Sequence, residues 1–185
     1  MEDSQIIDLY FDRKEAAIAE TDQKYGAYCR SIAWNILQNR EDSEECVSDT
    51  WLRAWNAMPP QRPGVLRQFL AKITRNLSLD RFRADHAQKR GDGQVPLALE
   101  ELKECVGTGD PATVAEQALL EQLIAAFLQT LSQRDRGAFL RRYFYMEGHK
   151  EIAARYGMTE ANVRLCLSRT RQKLRLFLRE EDFPL

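Results

Sequence analysis

Apolar residues recur at three- and four-residue spacing along most of the chain, and the alternation typical of strands is scarce. This spacing places apolar side chains on one face of a helix, so the pattern predicts an all-α fold. From about Ser4 to Ile36 it predicts two helices that break near residues 21–26. Their apolar stripe is formed by Ile6, Ile7, Leu9, Tyr10, Ala17, Ile18, Tyr25, Tyr28, Ile32 and Ile36.

A third helix is predicted to begin at Asp42, because Asp42 and Glu45 have the spacing of a capping box, and to end near Ala57. Residues 58–64 contain three prolines and a glycine and predict a loop. A fourth helix is predicted to reach about His86. Residues 1–87 therefore form the first predicted domain, a four-helix unit. The buried stripe of the fourth helix consists of Phe69, Leu70, Ile73 and Leu77.

Residues 88–111 contain four glycines and several acidic residues, and they lack sustained helical periodicity. We therefore expect an acidic, flexible linker. Asp110 and Pro111 suit the cap and first turn of a new helix, and Ser132 is expected to start a further helix that ends near Tyr145. Residues 112–185 form the second predicted domain.

The stretch from Glu147 to Arg175 predicts two short helices joined by a tight turn, which is the pattern of a helix-turn-helix. Gly157 gives the backbone freedom that the turn needs, Ala153 allows the helices to approach, and the Thr159 hydroxyl can cap the second helix. The second helix has two faces. Its apolar face holds Val163, Leu167, Thr170, Leu174 and Leu178, and its polar face holds Arg164, Ser168, Arg171 and Arg175.

Charge is strongly segregated along the chain, although the net charge of all 185 residues is only −1. Residues 132–180 carry twelve Lys/Arg against five Asp/Glu, and residues 64–90 carry seven against two. Residues 1–58 and 91–127 each have a net charge of −6. Two basic blocks separated by acidic ones predict two contacts with nucleic acid and separate surfaces for another partner.

Several classes of chemistry find no support. The four cysteines lie far apart without a C-x-x-C pair, which excludes a zinc or disulfide framework and favours buried thiols. His86 and His149 are isolated, no nucleophile has a placed His-acid pair, and there is no glycine-rich phosphate loop. We expect no enzyme activity, no metal and no cofactor. No apolar run suits a signal peptide or membrane span, which favours a cytoplasmic protein.

A second cluster of functional candidates lies in the first domain. On the helix that begins at Asp42, one charged face combines Asp42, Glu45, Asp49 and Arg53. On the following helix, Lys72, Asn76 and Arg83 share a polar face that suits contact with a nucleic-acid strand. Trp34, Trp51 and Trp55 are expected to lie in the core rather than to stack on bases.

Three sequence blocks together resemble the small, extracytoplasmic-function type of bacterial RNA polymerase sigma factor. They are DSEECVSDTWLRAW at 42–55, ITRNLSLDRFR at 73–83 and EIAARYGMTEANVRLCLSRTRQKL at 151–174. The family has two helical domains joined by a flexible linker, and the predicted linker is too short for the middle domain of housekeeping sigma factors. Ser48-Asp49 stands where many relatives have Gln-Glu.

The resemblance implies roles for individual residues. Asp42, Glu45, Asp49 and Arg53 would bind the clamp helices of core RNA polymerase, with the flap as a further contact. The acidic linker would thread toward the polymerase active-site cleft. The minus-ten element would be bound by Met58, Gln61, Arg62, Lys72, Asn76 and Arg83. The minus-thirty-five element would be bound by Thr159, Asn162, Arg164, Leu165, Ser168 and Arg169, with Arg171 and Lys173 nearer the phosphates.

The resemblance also implies promoter DNA and an anti-sigma factor as partners. Two other functions remain open at this point. A conventional repressor or activator would bind a palindromic duplex as a free dimer. A degenerate sigma factor would bind core polymerase without starting transcription.

Overall fold

The computed structural model describes residues 1–86, 94–106, 114–181 and 183. Over these residues it contains nine α-helices and no strand, which confirms the predicted all-α class. The chain divides into two compact units, Met1–Arg90 and Gly91–Leu185, called unit 1 and unit 2 below. The helices are α1 Asp3–Phe11, α2 Ala16–Leu37, α3 Arg40–Ala57, α4 Leu66–His86, α5 Gln94–Val106, α6 Val114–Thr130, α7 Gln133–Tyr143, α8 His149–Tyr156 and α9 Glu160–Glu180.

Unit 1 is built on mutual packing of α2, α3 and α4, with α1 packed against α2. Its core lies between these helices and removes apolar side chains from water, which is the main source of its stability. The fully enclosed members of the core are Ile6, Tyr10, Ala17, Cys29, Ala54, Met58, Leu66 and Leu70.

The break between the first two helices lies at residues 12–15, so the predicted break near 21–26 is wrong. Thr21 and Gly26 are both buried inside α2. The Thr21 hydroxyl donates to the Ala17 carbonyl at 2.7 Å and therefore needs no turn to satisfy it. The chain reverses instead at Arg13, which has a φ of +55°.

The N-cap of α3 is Asn39 rather than the predicted Asp42. The Asn39 side chain accepts a hydrogen bond from the Asp42 backbone N–H at 3.2 Å. Asparagine and aspartate both cap helices well, so two neighbouring candidates compete and sequence spacing alone does not choose between them. The predicted end of this helix at Ala57 is confirmed.

Small polar side chains line the contact between α3 and α4. Thr50 donates to the Thr74 hydroxyl at 3.1 Å, and the Cys46 sulfur lies 3.1 Å from the Ser78 hydroxyl. All four side chains are buried. Because these residues are small and satisfy one another, the two helices can approach closely without leaving buried polar groups unpaired.

The helix α5 lies inside the stretch predicted to be a flexible linker. It packs against α9 and α7 of unit 2. The prediction of an irregular segment over residues 94–106 is therefore wrong. The sequence of α5 does carry apolar residues, namely Val95, Leu97, Ala98, Leu99, Leu102, Cys105 and Val106. The flanking glycines and the acidic residues favoured a linker over this short helical pattern. The predicted helix start at Asp110 and Pro111 falls outside the described residues.

Unit 2 packs α6, α7 and α8 against the long helix α9. Phe127 of α6 contacts Phe139 of α7 and Phe177 of α9, with ring centroids 6.4 Å and 5.7 Å apart. Gly137 is needed at the α7–α8 contact, because a Cβ atom there would lie 2.0 Å from the Tyr156 hydroxyl. These contacts fix the two helices that precede α9.

Other side chains follow the sequence prediction only in part. Cys29, Cys46 and Cys105 are buried, and all four cysteines are free thiols. Trp51 is buried and Trp55 is half-buried, but Trp34 is 46% exposed, so its assignment to the core is wrong. Trp34 lies on the side of α2 that faces away from α3 and α4. None of the described helices has a stretch long and apolar enough to cross a membrane.

Candidate nucleic-acid and polymerase interfaces

The helices α8 and α9 form the predicted helix-turn-helix. Gly157 ends α8 with a φ of +62°, a left-handed conformation that glycine adopts without strain. The Thr159 hydroxyl then caps α9 by accepting from the Asn162 backbone N–H at 3.2 Å. Both roles predicted for these residues are confirmed. Thr159 is thus the N-cap of α9. Its side chain is also exposed, so it can contact DNA as well.

The apolar and polar faces of α9 separate as predicted. Val163, Leu167 and Leu174 are at most 1% exposed, and they anchor the helix on unit 2. The opposite side presents cations and the apolar side chain of Leu165 to solvent near the start of the helix, a combination that suits phosphates and base edges. Its exposed members are Asn162, Arg164, Leu165, Arg169 and Lys173, and Ser168 is half-buried.

A cleft of about 580 Å³ runs along this side, between α9 and the first turn of α7. Arg169 and Lys173 of α9 line one wall, and Arg134 of α7 lines the other. Arg134 was not among the candidates from sequence. The only signal for it is a cation two residues after the Ser132 N-cap, and its position beside α9 becomes visible only in the packed unit.

The floor of the cleft is polar, and its polar groups form hydrogen bonds with other residues of unit 2. The Cys166 sulfur lies 3.3 Å from Asp135 Oδ1. Burial and the neighbouring carboxylate raise the pKa of the Cys166 thiol. Burial raises the pKa of Asp135, but hydrogen bonds from Cys166, Arg134 and Ser132 outweigh it and hold the pKa below its usual value. Asp135 is therefore an anion that orients Arg134 at the rim.

Arg171 lies at the edge of the basic side of α9, but its side chain turns into unit 2. Its Nη1 atom lies 3.3 Å from Glu101 Oε2 of α5 and donates to the Tyr143 hydroxyl at 2.7 Å. Its side chain is 20% exposed. In the structure this cation is part of an internal ion-pair cluster, which does not match the phosphate contact that the resemblance implies. Helical spacing identified the correct face but not the carboxylate from α5.

Half of the predicted charged face of α3 pairs with a cation of the neighbouring helix α4. Arg81 Nη2 of α4 lies 2.7 Å from Asp42 Oδ1 and 2.7 Å from Glu45 Oε2. Asp49 and Arg53 are exposed. The structure therefore ties two of the four predicted polymerase-binding residues to α4 and leaves the other two available to a partner.

A groove of about 980 Å³ lies on the other side of α3, between α3 and α2. Ile18, Trp51 and Trp55 contribute apolar surface, and Leu52 is 58% exposed at its edge. The charged side chains around it are mostly acidic, namely Glu15, Asp22 and Glu44, with one cation, Arg30, which lies 3.4 Å from Asp22. The sequence analysis assigned Trp51 and Trp55 to the core, so a groove formed partly by them was missed.

The loop between α3 and α4 provides fewer free side chains than predicted. Met58 is 0% exposed and belongs to the core of unit 1, so its side chain cannot touch a DNA strand in this structure. Arg62 pairs with Asp8 of α1, and its guanidinium lies 5.0 Å from the centre of the Phe11 ring. Gln61 is exposed. Of the three predicted loop residues, Gln61 and Arg62 are exposed and Met58 is not.

The polar face predicted on α4 is present. Lys72, Asn76 and Arg83 are all exposed on one side of the helix. Arg83 Nη1 lies 3.4 Å from Asp80 Oδ1, and both side chains are about two-thirds exposed, at 65% and 66%. Such a surface pair is weak, so Arg83 can exchange it for a phosphate.

Comparison with known proteins agrees with this geometry. The family described as sigma-70 region 2 matches residues 23–88, and the family described as sigma-70 region 4 matches residues 121–174. The first match covers α3, α4 and most of α2, and the second covers the helix-turn-helix. The helix α5 lies outside both.

Two curated proteins are similar to the chain over most of its length. The ECF RNA polymerase sigma factor SigE of Mycolicibacterium smegmatis is 28% identical over 149 residues, which cover 80% of this chain and 56% of that protein. The probable RNA polymerase sigma factor RfaY of Xanthomonas campestris pv. campestris is 30% identical over 151 residues, which cover 78% of this chain and 36% of that protein.

The chain thus spans about half the length of the first relative and about a third of the second. The matched regions nevertheless occur here in one chain, in the order region 2 then region 4, and they fall in separate helical units. On this evidence the chain belongs to the RNA polymerase sigma factors of the extracytoplasmic-function type.

Proposed function

We propose that this protein binds core RNA polymerase and directs it to specific promoters, where unit 2 reads the minus-thirty-five element and unit 1 reads the minus-ten element. The observation that carries the proposal is the presence of both sigma regions in one chain. Each region has an exposed polar surface on a rigid helical support. The protein then acts in the cytoplasm with the polymerase, as an initiation factor that performs no catalysis of its own.

Recognition of the minus-thirty-five element rests on the open side of α9. Arg164, Leu165 and Arg169 are exposed there, and the buried apolar stripe prevents the helix from turning them away. Arginine can bind guanine with two hydrogen bonds in the major groove, and an exposed leucine can contact a thymine methyl group. Lys173 and Arg134 lie beside this row and would bind phosphates.

Recognition of the minus-ten element rests on Gln61 and on the polar face of α4. The three exposed side chains of that face, Lys72, Asn76 and Arg83, follow one side of the helix and suit the backbone of a single strand. Gln61 lies in the middle of the loop between α3 and α4, where its exposed amide could bind the polar edge of a flipped base. Met58 supports this loop from the core and does not read the base.

Polymerase binding is supported by the exposed side of α3. An exposed leucine next to two tryptophans, with three carboxylates and the single cation Arg30 around them, suits an amphipathic helix with a basic rim. We place the clamp helices on the groove between α2 and α3 and on Asp49 and Arg53. An anti-sigma factor that covers this groove would inactivate the protein without changing its fold.

Run-off transcription with purified bacterial core polymerase on a genomic fragment library tests the proposal. New start sites that share two upstream motifs are the expected result. Binding to core polymerase without new starts would favour a degenerate regulator. The absence of core binding would overturn the proposal, and tight binding of the free protein to a palindromic duplex would instead support a conventional repressor or activator.

A further inference from the structure

The Glu101 carboxylate of α5 is enclosed by three hydrogen-bond donors of unit 2. Its Oε2 atom lies 2.9 Å from the Tyr143 hydroxyl, 3.3 Å from Arg171 Nη1 and 3.5 Å from Arg142 Nε. The Glu101 side chain is 16% exposed and that of Arg142 is 0% exposed. Shielding from water strengthens each of these contacts, so the cluster is a strong link between α5 and the helices that it covers.

Glu101 lies on the face of α5 that packs against α7 and α9. Ala98, Glu101 and Cys105 recur at three- and four-residue spacing, and Ala98 and Cys105 are 0% and 5% exposed. One face of α5 therefore combines small apolar side chains with a single carboxylate. Glu100, the preceding residue, is exposed on a different face.

The cation that Glu101 holds belongs to the basic side of α9. At 100° per residue, Arg171 lies within about 60° of Arg164, Ser168 and Arg175 on the helix circumference. Arg164 and Arg175 are exposed, whereas Arg171 is drawn toward α7 and α5. Without Glu101, the Arg171 guanidinium would lose one attractive interaction inside unit 2. It could then join the exposed cations beside it on α9.

We infer that Glu101 is a positioning residue for α9, which holds Arg171 within unit 2 and so limits the number of DNA phosphates that α9 neutralises. The inference rests on the proposed function, because it assumes that α9 meets duplex DNA. It assigns α5, which lies outside both matched regions, to the control of DNA affinity.

The charges of the cluster favour the state in which α5 packs against α7 and α9. Arg142 is fully buried, and removing the carboxylate beside it would leave a buried charge with less compensation, which is costly. Burial lowers the pKa of Arg171, but the hydrogen bond to Tyr143 and the nearby Glu101 outweigh it and raise the pKa overall. Arg171 is thus a charged member of the cluster, and it becomes a free cation only when Glu101 withdraws.

The first test compares two arginines on the same helix in the full chain. Arg171→Gln and Arg175→Gln remove the same charge one turn apart. Binding is measured by fluorescence anisotropy with a short random-sequence duplex over a range of salt concentrations. Arg175→Gln should weaken binding several-fold and reduce the salt slope by about one, as expected for a lost phosphate contact. Arg171→Gln should leave both quantities unchanged.

The second test compares Glu101→Gln with Glu100→Gln, two changes that alter the net charge equally. Glu101→Gln should tighten duplex binding several-fold and steepen the salt slope by about one, because it releases Arg171. Glu100→Gln should produce a much smaller change. Adding Arg171→Gln to Glu101→Gln should abolish the gain. Circular dichroism of each variant establishes that its helices are intact.

Hydrogen exchange of the α5 amides reports on docking without DNA. Protection in the wild-type chain, lost in Glu101→Gln and kept in Glu100→Gln, is the expected result. Exchange at the rate of an unfolded peptide in the wild-type chain would overturn the inference. If Glu101→Gln proves too unstable for binding measurements, the comparison of Arg171→Gln with Arg175→Gln still tests the inference, because both variants keep Glu101 in place.

The two proposals fail in different ways. If Arg175→Gln weakens binding and Arg171→Gln weakens it equally, the role of Glu101 is wrong while DNA binding by α9 stands. If neither the wild-type chain nor Glu101→Gln binds duplex at low salt and no promoter starts appear with polymerase, the proposed function itself is wrong.

Discussion

The hydroxyl groups of Tyr10 and Thr21 lie 2.9 Å apart in the core of unit 1 and join α1 to α2. Both side chains are 0% exposed. Thr21 donates its own proton to the Ala17 carbonyl, so the Tyr10 hydroxyl is the donor between the two. The contact fixes α1 against the second turn of α2, at the start of the segment where the sequence predicted a break.

Replacing Thr21 by valine should destabilise unit 1 by about 1–3 kcal/mol, because the buried Tyr10 hydroxyl loses its acceptor. Urea unfolding followed by tryptophan fluorescence measures this change, since all three tryptophans lie in unit 1. Tyr10→Phe should cost less, because Thr21 keeps its bond to Ala17. Equal costs for the two variants would contradict the assigned direction of the hydrogen bond.

Met58 and Gln61 lie in the same loop, but Met58 is buried in the core and Gln61 is exposed. Met58→Ala should lower the free energy of unfolding of unit 1 by about 2–5 kcal/mol, because it leaves a cavity in the core. Gln61→Ala should change stability by less than about 0.5 kcal/mol, as expected for an exposed residue. In transcription assays Gln61→Ala should instead alter the preference for the minus-ten sequence. A stable, folded Met58→Ala protein would show that the loop is not anchored as described.

The stability of unit 1 should depend on the charge of Asp3. Its carboxylate lies 2.7 Å from Lys24 Nζ and accepts from the Tyr25 hydroxyl at 2.7 Å. Burial raises the pKa of Asp3, but these partners outweigh it and lower the pKa in the folded protein. A lowered pKa stabilises the fold above the unfolded value of about 3.9, and this contribution is lost as the pH falls through the folded pKa.

Unfolding of wild type and Asp3→Asn should therefore differ at about pH 6 and converge as the pH falls below the unfolded pKa and through the lower folded pKa. Asp12→Asn is the matched control, because Asp12 pairs with Lys14 where the side chains are 57% and 60% exposed. It should leave the pH profile almost unchanged. A constant difference between wild type and Asp3→Asn at all pH values would contradict the ionic role of Asp3.

The groove between α2 and α3 predicts a specific loss of polymerase binding. Leu52→Glu should weaken the affinity for core polymerase by about tenfold or more, because it places a charge where an apolar partner surface is expected. Leu176→Glu is the control, since Leu52 and Leu176 are both 58% exposed and lie in different units. Equal effects of the two changes in a binding assay would argue against the groove as the polymerase contact.

Recognition of the minus-thirty-five element should depend on Arg169 and not on Arg179. Both are exposed on α9, but only Arg169 lines the cleft that faces α7. Arg169→Gln should cost about 1–3 kcal/mol of specific binding and relax the preference at one base position. Arg179→Gln should preserve the promoter motif. Start-site mapping with each variant provides the measurement.

Much of the architecture follows from sequence periodicity. The apolar stripe of α9, the turn at Gly157 and the cap at Thr159 are local features, and all are confirmed. They are predictable because helix spacing, backbone freedom and capping depend on residues only a few positions apart. The all-α class and the resemblance to sigma factors follow from the same local patterns, repeated in the expected order.

The exceptions depend on residues that are distant in sequence. Thr21 remains helical because Tyr10 packs against it, and α5 is held as a helix against α9. The sequence placed Asp42 and Arg171 on correct helix faces, but it did not reveal that Arg81 and Glu101 neutralise them. A helix face becomes a binding surface only where no other part of the chain covers it or pairs with its charges.

The sequence by itself therefore determined the all-α class, most of the helices, the helix-turn-helix and the family. Tertiary structure decided which of the predicted side chains remain available to DNA or polymerase, and it revealed the groove beside Leu52. The physical reason is that helix formation follows short-range spacing, whereas exposure and charge pairing are set by contacts between helices. Those contacts join residues as far apart as Glu101 and Arg171.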